Sequence, residues 1–157
     1  MTKLLLSVHV LAAILTVGSI TVAASMFPRY ALKALDGEEQ DGRAAGIAAL
    51  LHRICRVYAV VGVAVPVFGI ATGKQLGVLT DAWLIASLAL TVIAAGILGL
   101  LILPGQERLL TPDPDLPDRA ALRPVASRLA MLTGIFNVLW AVVVVLMIVR
   151  PGSTTGA

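Results

Sequence analysis

The chain is poor in cysteine, histidine and charge. It has one cysteine, Cys55, and two histidines, His9 and His52, and only 13% of its 157 residues are charged, against about 25% in a soluble domain. A single cysteine excludes an internal disulfide and a cysteine-based zinc cluster. Cys55 reads instead as a small hydrophobe packed near a helix end. Lys and Arg nowhere cluster with interleaved aromatics, which sets nucleic acid aside as a partner. Acidic residues are missing from the centre of every long apolar run, which disfavours proton-coupled transport and ion pumping. No nucleophile stands beside a base, and no cluster has metal-ligand spacing. The expectation is a chain that is no enzyme and needs no cofactor.

What is present is apolar sequence, 59% of the chain. It is gathered into four charge-poor runs near the ~20 residues a helix needs to cross a bilayer. The expected fold is all-α, a single polytopic membrane domain built as an antiparallel four-transmembrane-helix bundle in contact with lipid. Its spans fall at about 4–26, 50–72, 82–103 and 126–149. The first run carries no charge between Lys3 and Arg29. It is longer than the apolar part of a signal peptide and is followed closely by Arg29 and Lys33, so a retained helix is expected. Pro28 fits its exit. In the connection 27–46, Glu38, Glu39 and Asp41 read as a solvated turn. Pro66 should kink the second span, and Pro104-Gly105 should end the third. Pro112, Pro114 and Pro117 stiffen the connection 104–124. There, Asp113, Asp115 and Asp118 lack the glycine and glutamate of a calcium loop. Residues 150–157 form a mobile tail.

Charge orients the bundle. One side holds nine basic residues, Arg29, Lys33, Arg43, Arg53, Arg56, Arg108, Arg119, Arg123 and Arg128, and the other holds Lys3, Lys74 and Arg150. Basic residues mark the cytoplasmic side, so both long connections should be cytoplasmic and both termini outside.

Few residues could carry chemistry. His9 is the strong polar departure in the first span, and an ionisable group within a membrane is a functional candidate. Its structural alternative is a hydrogen bond to a neighbouring helix. Antiparallel packing puts His52 level with Ala23, some 14 residues from His9, or about 21 Å, so one iron cannot take both. His52, Arg53 and Arg56 read as an interfacial anchor or a lipid contact, and Trp83 as an interfacial aromatic. Gly18, Gly69, Gly73 and Asn137 read as helix-packing positions.

Ser7-Val-His9-Val-Leu-Ala-Ala-Ile followed by Gly18, the stretch Leu51 to Gly73, and the ending Met147-Ile-Val-Arg-Pro-Gly152 carry a resemblance. The chain resembles small four-helix bacterial membrane proteins with a first-helix histidine. That group is similar to the copper-resistance D-type membrane domain and to the J-type protoporphyrinogen oxidases. The resemblance implies an inner-membrane protein and carries over one ligand position, His9. Thr16 stands where relatives often have Trp. The function expected is an accessory or assembly subunit of a larger, possibly respiratory, membrane complex. The alternative is a haem- or copper-handling protein, with His9 as ligand to haem b or to copper.

Overall fold

The computed structural model describes residues 2–36, 42–112 and 119–152, and within them the chain is helix and turn without a strand. The first pass is α1 (Thr2–Asp36). The second is α2 (Arg43–Val61) continued by α3 (Ala64–Leu76). The third is α4 (Ala82–Gly96), carried through a π-helical segment, Ile97–Ile102, into α5 (Leu103–Leu110). A 3-10 turn at Arg119–Leu122 leads into the fourth, α6 (Arg123–Val149). Within these four passes the spans Lys3–Asp36, Arg43–Leu76, Ala82–Leu110 and Arg123–Val149, of 34, 34, 29 and 27 residues, are long and apolar enough to cross a membrane. Side-chain pairs show that neighbours run in opposite directions: Asp36 meets Arg123 and Ser25 meets Asn137. The expected all-α bundle of four spans is the observed one.

The bundle is packed at one end. On α1, Ile20, Ala23, Ala24, Phe27 and Ala31 recur at helical spacing and are buried, which aligns them along one face. They meet Ala48, Leu51 and Cys55 of α2, Leu98 and Ile102 of the π-helical segment, Leu109 of α5, and Ala126, Leu129 and Phe136 of α6. Alanines let the backbones approach closely, and Phe27 and Phe136 fill the space between them; such contacts drive association where lipid is as apolar as the side chains. The outward faces carry large apolar residues such as Leu100 and Ile148, 76% and 75% exposed. An apolar belt of this kind suits hydrocarbon rather than water.

Three prolines behave differently from one another. Pro66 does break its pass as expected, and the break falls one turn earlier, at Gly62 and Val63. A proline has no N–H for the carbonyl four residues back and crowds it. Here that carbonyl belongs to Gly62, and it accepts the Val65 N–H instead, at 3.0 Å. Pro28, expected as an exit, lies buried inside α1, which runs on to Asp36. Pro104 does not end the third pass either. Leu103 N–H reaches back five residues to the Leu98 carbonyl, a widened turn just ahead of Pro104. A π turn of this kind shifts the hydrogen-bond register where the proline has no donor to offer, and the helix continues to Leu110. The connections are therefore shorter than the 27–46 and 104–124 read from sequence. Glu38, Glu39, Asp41, Asp113, Asp115, Asp118 and the tail 153–157 lie outside the described residues.

Candidate functional site

Beyond the packed end α3 stays against α1 and α4 against α6. Between them is an apolar cavity of about 680 Å³, lined on α1 from Leu6 to Gly18, and further by Val65 to Ile70, Leu79, Leu84 to Thr91, and Trp140 to Arg150. The α1 lining runs from Leu6 to Gly18, twelve steps along the helix or about 18 Å. Wall residues Ile14, Ile85, Val144 and Ile148 are also exposed, so the cavity opens sideways to whatever surrounds the bundle.

His9 sits in this wall and is half-buried. Its Nδ1 lies 2.8 Å from the Val65 carbonyl oxygen of α3. A carbonyl only accepts, so Nδ1 carries the proton and donates, which leaves the lone pair of the neutral ring on Nε2. Nε2 has no hydrogen-bond partner among the described residues. The ring lies against Gly69, where an added Cβ would come within 2.9 Å of Cε1. Gly69 is therefore the seat that lets the imidazole reach α3. His9 is thus a helix-bridging donor through Nδ1, the structural role expected of it.

A second group lines the same cavity. Arg150 caps α6 in the left-handed conformation, at φ 46°. Its guanidinium lies over the Trp83 ring, 5.5 Å from the centroid, a cation–π contact. Nε donates to the Met147 carbonyl at 3.3 Å. The Trp83 indole donates to Asp81 Oδ2 at 3.0 Å. Trp83 is near a span end as expected, but it is buried beneath Arg150.

Deeper in, four buried polar atoms have no hydrogen-bond partner among the described residues: Thr16 Oγ1, Thr133 Oγ1, Asn137 Oδ1 and Trp140 Nε1. Thr133, Asn137 and Trp140 share one face of α6 by their spacing. Buried polar groups are nearly always satisfied, so these atoms stand out in an otherwise apolar interior. Asn137 bridges helices as expected, donating to Ser25 Oγ at 3.4 Å.

The other expected residues lie elsewhere. His52 is at the packed end, where its Nδ1 is 2.9 Å from Gln106 Oε1, and Gln106 in turn donates to Cys55 Sγ at 3.7 Å. His9 touches the second pass at Val65, thirteen residues or roughly 20 Å beyond His52, so the two histidines serve different ends. Arg53 and Arg56 are exposed beside His52. Gly73 packs on Leu84 and Leu79, whereas nothing stands within 4 Å of an added Cβ at Gly18, which lines the cavity. Sequence reading missed Gln106 and Arg150. The first was hidden by the assumption that Pro104 ends a helix; the second was read only as a charge closing the last span.

Fold and composition together define a class, an all-α multi-pass membrane protein with four apolar helices. Comparison with known protein families, curated proteins and solved structures finds no match.

Proposed function

We propose that the chain is a non-catalytic protein of a bacterial inner membrane, and that its open cavity holds an apolar molecule with His9 as a polar contact. The single observation behind this reading is the His9 geometry: Nδ1 is engaged by Val65 and Nε2 is left with its lone pair at the wall of an apolar cavity. Cavities that hold small molecules have about 300–1,000 Å³ and a few placed polar groups in an apolar lining. A haem b or a copper ion held through Nε2 is the metal-handling form of this reading. For haem, a neutral imidazole is a suitable axial ligand, and His52 is too distant to be a second one.

The test is to purify the chain in mild detergent, extract it with solvent and identify the guest by mass spectrometry, alongside a visible spectrum. An apolar guest retained by the wild type and depleted in His9→Ala is expected. A Soret band lost in the same variant selects haem. Recovery of an intact chain with no guest by either measurement contradicts the reading.

A second reading, an accessory or assembly subunit of a larger respiratory complex, has its own support. Gly99 and Gly134 are exposed, with no atom near where a Cβ would sit, and small residues admit another helix closely. Co-purification of defined partners in mild detergent supports it; a stable solitary monomer opposes it.

A further inference from the structure

The two ends of the cavity lining differ in chemistry. Toward Gly18 and Trp140 it is apolar, and at the end of α6 it carries Arg150, which alone among the described lining residues bears a fixed charge. An arginine serving only to offset the dipole of α6 could extend freely into water. This one takes a left-handed backbone uncommon for a side-chain-bearing residue and lies on the Trp83 ring at the cavity mouth. Its one hydrogen bond among the described residues uses Nε, so Nη1 and Nη2 keep their donors. Among the described residues no carboxylate lies within ion-pair distance of it; Asp81 accepts from the Trp83 indole. The other basic residues of this side, Lys3 and Lys74, are exposed and do not line the cavity.

We infer that the cavity is the seat of one acyl chain of an anionic phospholipid, whose phosphate is bound by Arg150 where the guanidinium rests on Trp83. This rests on the reading of the cavity as a binding site and names its occupant. A guanidinium matches a phosphate through paired N–H donors. The aromatic beneath it fixes the guanidinium's plane without neutralising its charge. Arg150 closes the last span and Trp83 opens the third, so both stand at the level where headgroups lie. The sideways opening lets a chain enter from the bilayer without leaving hydrocarbon. A lipid contact was expected at Arg53 and Arg56; this site is at the opposite end of the bundle and uses neither.

The full chain is reconstituted in phosphatidylcholine bilayers, and its fluorescence is followed as brominated phosphatidylglycerol or brominated phosphatidylcholine is titrated in. Of the chain's two tryptophans, Trp140 lines the cavity and Trp83 lies against Arg150 of its lining, so bromines on a bound acyl chain quench their fluorescence. Saturable quenching is expected at an about tenfold lower mole fraction for the anionic lipid, the size of one charge-assisted hydrogen-bonded contact. Arg150→Gln should bring the two lipids to parity, Arg150→Lys should keep a reduced preference, and Arg128→Gln, at the packed end, should keep all of it. Parity in the wild type, or a preference that survives Arg150→Gln, overturns the assignment. Saturation by both lipids at parity still leaves a chain-binding cavity, whereas quenching merely proportional to bromolipid content removes the cavity reading too. Stronger saturation by a brominated free fatty acid than by phosphatidylglycerol overturns the phospholipid as occupant. Should Arg150→Gln fail to fold, an unreduced preference in Arg150→Lys overturns the need for the planar fork.

Discussion

The two ends of this bundle are made from the same few residue types and do opposite things. At the end holding Phe27, Cys55, Gln106 and Phe136, alanines and aromatics interlock and bury one another almost completely. At the end holding His9 and Arg150, valines, leucines and isoleucines line a space they do not fill. The difference arises from where bulk is placed rather than from how apolar each half is. Small residues facing large ones close the first end. At the second, Pro66 and the break before it shape the pass that faces His9. Polar contacts follow the same division: Gln106 is locked between His52 and Cys55, whereas His9 and Trp140 each keep a nitrogen without a partner among the described residues.

The comparison can be broken most sharply by truncating bulk at each end. Phe136→Ala should cost about 3–4 kcal/mol, as lost packing plus a cavity. Val144→Ala, in the wall of the existing cavity, should cost less than about 1 kcal/mol. Reversible unfolding in mixed detergent, followed by tryptophan fluorescence, measures both; equal losses would mean that the two ends are packed alike. Gly69→Ala comes next. Its Cβ would stand 2.9 Å from the imidazole, so the ring must leave Val65, at about 1–3 kcal/mol. The double variant with His9→Ala should recover most of that loss, and a failure to recover would separate Gly69 from His9. Gln106→Leu, which removes two hydrogen bonds from the closed end, should cost about 1–2 kcal/mol. It should also expose Cys55 to maleimide, a readout that a change at the open end would leave alone. Smallest is Asp36→Asn. The Arg123–Asp36 pair spans 2.9 Å, but its side chains are 64% and 36% exposed, so its loss should lie below about 1 kcal/mol and shrink further in salt.

Much of this architecture was legible from composition. Four charge-poor runs set the number of passes because each is long enough to cross hydrocarbon and too apolar to remain in water. The pairing of Asn137 across helices and the separation of the two histidines also followed, because antiparallel helices with a known rise per residue leave little freedom in register. The prolines were less transparent. Pro66 broke its helix, while Pro28 and Pro104 did not, since a helix tolerates the missing N–H when its freed groups are re-satisfied or its turn widens. That is why Gln106, placed by sequence in a loop, stands in the core. Gly69 carried a signal, a small residue at a packing position, but nothing in its spacing named His9 as the side chain it seats.

Sequence by itself therefore determined that the chain is helical and how many apolar passes it makes, because these depend on transfer of whole segments between water and lipid. Only the tertiary structure decided which end closes, which histidine nitrogen keeps its lone pair, and that Arg150 meets Trp83 at the cavity mouth. Those depend on how volumes from distant segments fit together, and no local pattern encodes a fit.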